Sequence, residues 1–150
     1  MAALLALCAP QGARAQASVS ALPVQGLRFG TLSPGLATVV SPDDGGRRAS
    51  LELVGSGSVT VTFQLPREME APDGKRLPLR FGPTDGRIVF PRSTREIVFD
   101  PSAPVSFSIP PGSGGATLYL GGAAEPGPRQ PPGAYTTSIT AWVVVANAAT

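Results

Sequence analysis

Val59, Val61, Phe63 and Leu65 alternate with Ser58, Thr60, Thr62 and Gln64. A period of two places the first set on one face of a strand and the second on the other, the signature of a half-buried strand. The same format over shorter lengths predicts strands at Leu27–Gly30, Thr38–Val40, Ala49–Val54, Leu79–Phe81, Ile88–Phe90, Glu96–Phe99, Val105–Ile109, Thr117–Leu120 and Tyr135–Val145. Between them stand Ser33-Pro34-Gly35, Asp43-Asp44-Gly45-Gly46, Asp73-Gly74, Asp85-Gly86, Pro110-Pro111-Gly112 and Pro131-Pro132-Gly133. Proline presets φ there and glycine permits positive φ, so these clusters are turns.

Helices have no support, because no window holds apolar residues at i, i+3, i+4 and i+7 without an intruding Pro or Gly. The chain is predicted to be all-β, an antiparallel sandwich of two sheets with about eight or nine strands. No repeat of fixed period points to a propeller or solenoid. The stretch from Leu79 to Phe90 reads as a hairpin turning at Asp85-Gly86. In the last strand Ile139, Ala141, Val143 and Val145 share one face, while Trp142 and Val144 make the other face apolar too. Such a strand is either internal to a sheet covered on both sides or an edge covered by another strand or subunit.

Composition narrows the functional classes. A chain of 150 residues fits one domain with a real core. Its 18 glycines and 17 prolines approach a disordered composition, but they gather at the turns. Twelve basic against 10 acidic residues leave a net charge of +2, and no basic stripe is interleaved with aromatics, so a nucleic-acid partner is not expected. There is no His and only one Cys, and no nucleophile stands beside a base. The expectation is a protein that is not an enzyme and carries no cofactor or metal.

The amino terminus reads as a targeting segment. Residues Ala2 to Ala9 form a short apolar run, and Ala15-Gln16-Ala17 before Ser18 has the small-x-small form of a processing site. Residues 1–17 are therefore expected to be a signal peptide, with the mature protein in the periplasm, at the cell surface or outside the cell. The run lacks a basic leading region, which suggests a translation start further upstream. Lipidation of Cys8 is disfavoured by the bulky Leu7 before it. The apolar run is broken by Pro10, Gln11, Gly12 and Arg14, well short of the ~20 residues that span a bilayer, so no transmembrane segment is expected in the mature chain. Residues 18–26 form a short extended leader, 27–147 the sandwich domain and 148–150 a tail.

Two blocks then carry a resemblance. Leu27-Arg28-Phe29-Gly30-Thr31-Leu32-Ser33-Pro34-Gly35 lies near the start; Leu118-Tyr119-Leu120-Gly121-Gly122, followed by Pro132-Gly133-Ala134-Tyr135-Thr136, lies near the end. Together they resemble the bacterial exported family called domain of unknown function 4402, over roughly Leu22 to Asn147. The resemblance implies an immunoglobulin-like, pilin-like sandwich related to fimbrial subunits and spore-coat-U-type domains. It implies a structural or adhesive role at the cell surface, with partners that are copies of itself or other surface subunits and a periplasmic chaperone. The chain departs from pilins in lacking cysteines after residue 17 and in its short leader.

Candidate sites follow from these readings. Val19, Ala21, Leu22 and Val24 in the leader are the candidate strand-addition residues, set against pairing of that segment within its own domain. Trp142 and Tyr119, with Tyr135, are candidates for a stacking platform in an alternative role as a periplasmic or extracellular carbohydrate- or peptide-binding module. The sequence favours the core for these aromatics, and the resemblance to an immunoglobulin-like fold implies for Tyr135 the hydroxyl-to-backbone bond of a tyrosine corner. Asp43 and Asp44 are read as a turn rather than a calcium site, Glu68 and Glu70 as a solvated loop rather than an acid/base pair, and Arg87, Arg92 and Arg95 as solvated surface rather than an anion site.

Overall fold

The computed structural model describes the backbone of residues 2–8 and 19–146 other than 113, and the side chains of residues 19–145 other than 113. The expected processing site at residues 15–18 and the tail at 148–150 lie outside the described residues. The first seven strands are β1 (Ala2–Cys8), β2 (Val19–Gln25), β3 (Leu27–Thr31), β4 (Thr38–Val40), β5 (Ala49–Gly55), β6 (Gly57–Gln64) and β7 (Glu68–Glu70). The rest are β8 (Arg76–Arg80), β9 (Gly86–Val89), β10 (Glu96–Phe99), β11 (Val105–Ile109), β12 (Ala116–Leu120), β13 (Gly122–Ala124) and β14 (Ala134–Ala146). Among the described residues there is no helix, and so none long and apolar enough to cross a membrane.

The strands form two sheets. The smaller runs β10-β9-β12-β5-β2; the larger runs β11-β6-β14-β7-β8-β13-β4, with β1 against β14 and β3 against β1. Pairing is antiparallel throughout the described strands except between β1 and β14, which run parallel. The chain is thus the all-β two-sheet sandwich that its alternation predicts.

Alternation also explains which side chains meet. Val59, Val61 and Phe63 of β6 are buried while Ser58 and Gln64 are exposed, and Ala116, Leu118 and Leu120 of β12 are buried from the other sheet. Phe63 and Phe99 stack across the core with ring centroids 6.0 Å apart, and Phe90 meets Phe107 edge-on at 6.3 Å. Each such ring contributes about 1.5–3 kcal/mol by leaving water.

Three expectations are revised. The structure holds 14 described strands rather than eight or nine, because the three-residue strands β7 and β13 are too short to show a period and because β1 was read as a signal peptide and β2 as a leader. The hairpin expected between Leu79 and Phe90 is not formed: β8 lies in the larger sheet and β9 in the smaller, so Asp85-Gly86 ends a crossover between sheets. Asp85 closes that turn by accepting from the Gly82 amide at 2.6 Å. Gly86 is needed for close packing, since a Cβ there would sit 2.5 Å from the Phe99 ring. Finally, β14 is internal, with β6 and β7 along one edge and β1 along the first half of the other, yet its outer face is uncovered at Trp142 and Val144.

Candidate functional site

The position between β3 and β14 is filled by β1, the first strand of the chain. β3 begins at Leu27, and every later strand follows in chain order to β14, but the strand that joins these two is β1. Along β14 it runs from Ala2 opposite Ala134 to Cys8 opposite Thr140; along β3 it runs from Ala2 opposite Thr31 to Leu5 opposite Leu27. Leu27 and Phe29 of β3, and Tyr135 and Ile139 of β14, are all fully buried. A strand in this place completes the backbone hydrogen bonding of two neighbours at once, directly over the core.

The composition of β1 suits that place. Ala-Ala-Leu-Leu-Ala-Leu-Cys has no charge to desolvate and no proline, which would remove a ladder hydrogen bond between two neighbours. The sequence carried this signal in a form that is ambiguous. A short continuous apolar run serves a buried strand as well as it serves an export signal, and no local feature names its distant partners.

Val19, Ala21, Leu22 and Val24 lie in β2, the edge strand of the smaller sheet, paired with β5 from Val19 opposite Gly55 to Gln25 opposite Ser50. Ala21 is buried, whereas Leu22 and Val24 are exposed. The segment read as a short leader thus pairs within its own domain, the alternative set against strand addition. Gln25 secures its end by donating from Nε2 to the Arg48 carbonyl at 2.8 Å. Pro23 is tolerated because β2 has a strand on one side only among the described residues.

The aromatic candidates are not brought together. Trp142 stands on β14 in the larger sheet and is 52% exposed, contrary to the core position favoured for it. Tyr119 stands on β12 in the smaller sheet, half-buried beneath Arg48, whose guanidinium carbon is 3.5 Å from the ring centroid. Tyr135 alone of the three is a core residue. Its hydroxyl donates to the Pro131 carbonyl at 2.6 Å and accepts from Gln130 Nε2 at 3.0 Å, the corner bond read from the sequence. Beside Trp142 on the outer face run Ser and Thr side chains, with Thr60 and Ser106 hydroxyls bonded at 2.8 Å.

Charged candidates are engaged with one another. Glu68 and Glu70 both face Arg76, at 3.1 and 3.7 Å. Arg87 pairs with Asp43, and its Nε lies 2.8 Å from Glu96 without the alignment of a hydrogen bond. Arg92 donates to the Gly112 carbonyl at 3.0 Å, and Arg95 lies 5.8 Å from the Phe90 ring, so the three arginines form no common anion site. Asp44 accepts from the Gly46 amide at 3.2 Å, a turn contact. Among the described residues no three His, Cys, Asp or Glu side chains cluster as metal ligands.

Hydrogen bonds lower the pKa of two carboxyls. The Ser102 hydroxyl and amide hold the Asp100 carboxyl below its ordinary value, and the Lys75 amide does the same for Asp73. Asp73 is exposed and Asp100 half-buried, and each carboxylate's bonds lie within its own turn. Compared with protein-family models and with curated proteins, the chain matches none of them.

Proposed function

We propose that the chain is a non-enzymatic, exported component of the bacterial cell surface, a structural or adhesive subunit of fimbrial type that joins its neighbours by strand addition. The observation that carries this reading is the origin of the strand between β3 and β14. It comes from residues 2–8, the segment that reads as an export signal. Cleavage after Ala17 would remove it, and a sandwich short of one strand is completed by another polypeptide through backbone hydrogen bonds. The resemblance to domain of unknown function 4402 supports the same reading. A periplasmic chaperone would protect the open position before assembly.

Mass spectrometry and immuno-electron microscopy of surface material from the native bacterium test this. The expected result is a chain starting at Ser18 within surface fibres. An unprocessed chain confined to the cytoplasm would overturn it.

A second reading rests on Trp142. An indole 52% exposed beside a strip of Ser and Thr hydroxyls offers a flat apolar face with hydrogen-bonding groups around it, which suits a carbohydrate ring. In this reading the protein is a periplasmic or extracellular binding module. Retention on immobilised envelope polysaccharide, lost in Trp142→Ala, is the result expected of it.

A further inference from the structure

We infer that β11 is the seat of a two-fold dimer, pairing antiparallel with β11 of a second copy so that the larger sheets of the two chains join edge to edge. This goes beyond the proposed function. It uses an edge remote in sequence from β1, needs no processing of the chain, and closes at two copies instead of propagating.

Edge protection is the first observation. Among the described residues five strands have a partner strand on one side only: β2, β3, β4, β10 and β11. An unpaired edge invites another chain unless it is short, charged, kinked or interrupted by proline. β2 contains Pro23, β4 has three residues and β10 carries Glu96. β3 carries Arg28 and pairs across a register shift, and the Arg28 amide donates to the Arg47 carbonyl. β11, Val-Ser-Phe-Ser-Ile, has none of these devices. It pairs regularly with β6 from Val105 opposite Val61 to Ile109 opposite Gly57. Among the described residues its other edge receives no backbone hydrogen bond.

The symmetry of the segment argues for a second copy as the occupant. Val105 and Ile109, Ser106 and Ser108, and Pro104 and Pro110 stand in pairs at equal distances from Phe107. An antiparallel pair turned about a two-fold axis at Phe107 sets Ser106 opposite Ser108 of the second copy, Val105 opposite Ile109, and Phe107 opposite its own counterpart. Like meets like on both faces of the joined sheet. The prolines have no amide hydrogen and end the ladder on each side, so a register moved by two residues loses pairs. A slip of one residue would set Ser opposite Phe. An isologous interface requires a surface complementary to itself, which a partner of unrelated sequence does not.

Charge does not oppose this pairing. Ser106 and Ser108 are exposed, and their hydroxyls meet Thr60 at 2.8 Å and Ser58 at 3.3 Å on β6. Across the axis the two hydroxyl rows continue into each other, and cross-strand hydroxyl pairs favour a ladder. The flanking Thr62, Trp142 and Val144 on the same outer face are uncharged as well. The joined sheet carries one Trp142 on either side of the axis, so a polymer that meets one indole is offered two.

The test uses the full chain in sedimentation velocity over a concentration series, where a reversible equilibrium between monomer and dimer is expected. Double substitutions at the two exposed serines then read the register. Ser106→Lys with Ser108→Lys, and Ser106→Glu with Ser108→Glu, each set like charges opposite one another twice across the axis and are expected to weaken the dimer about ten-fold. Ser106→Lys with Ser108→Glu sets opposite charges there and is expected to dimerise at least as tightly as the unaltered chain. The two like-charged variants shift net charge in opposite directions, so a loss common to both is not an effect of net charge. Hydrogen exchange of the unaltered chain needs no variant to fold: exchange of the β11 amides is expected to slow as concentration rises. A monomer at every concentration up to the millimolar range, or three variants that dimerise alike, would overturn the inference. So would β11 amides indifferent to concentration, or a mass that grows past two copies.

Discussion

The Tyr135 hydroxyl donates to the Pro131 carbonyl at 2.6 Å while its ring is fully buried. This bond fixes the turn that feeds β14, and so sets where that strand begins to pair with β1 at Ala134 and with β7 at Thr136. Gln130 extends the corner, reaching the Tyr135 oxygen and the Arg76 carbonyl.

Tyr135→Phe keeps the ring and removes the hydroxyl. Leaving the Pro131 carbonyl without this donor should cost about 1–3 kcal/mol. Urea unfolding is expected to show a lower midpoint with an unchanged slope, since the exposed surface stays the same.

Gly115 has φ of 90°, and a Cβ added there would run into the Leu53 carbonyl of the neighbouring strand. Gly74 has φ of 86° but no atom within 4 Å of such a Cβ. Gly74→Ala should cost only the left-handed penalty of about 1 kcal/mol, and Gly115→Ala roughly 3 kcal/mol because backbone must also move. Thermal melts of the two variants side by side check the difference; equal melting points would refute it.

Asp100 accepts from the Ser102 hydroxyl at 2.6 Å and from its amide at 2.9 Å, and these bonds hold its carboxyl below the ordinary 3.8. A lowered carboxyl value means that its stabilising contribution is present above pH 3.8 and is lost as pH falls through the folded value. An NMR titration should place the Asp100 midpoint below 3.8, and Ser102→Ala should move it upward.

Trp142 is the chain's one tryptophan. With 52% of its surface exposed, its fluorescence should be red-shifted and open to iodide quenching before any denaturant is added. A blue-shifted, protected signal in the monomer would contradict this placement. Trp142→Ser should leave the unfolding free energy within about 0.5 kcal/mol of the original, as surface substitutions do.

Much of the architecture was legible in the sequence where it depends on neighbours along the chain. The alternation at Ser58 to Leu65 and the turn at Ser33-Pro34-Gly35, where Gly35 takes φ of 77°, were read correctly because a strand's two faces and a turn's φ requirements are local properties. The Tyr135 corner was expected from the resemblance to an immunoglobulin-like fold, and the structure forms it with an acceptor four residues upstream. Asp85-Gly86 misled because a turn dipeptide specifies a change of direction but not which sheet the chain enters next. Trp142 misled because an apolar residue is not required to be inside, and the outer face of β14 has no layer against it among the described residues.

Ala2–Cys8 shows where the boundary falls. The chain by itself determined that this segment is apolar and uncharged, that strands and turns follow one another to residue 146, and that the sandwich must hide one face of each strand. Only the tertiary structure decided that β1 lies between β3 and β14, that β2 belongs to the opposite sheet, and that Trp142 faces outward. Strand partners are chosen by backbone edges, whose amides and carbonyls are the same at every residue but proline, so side-chain pattern selects a face but leaves the neighbour to be settled by how the whole chain packs.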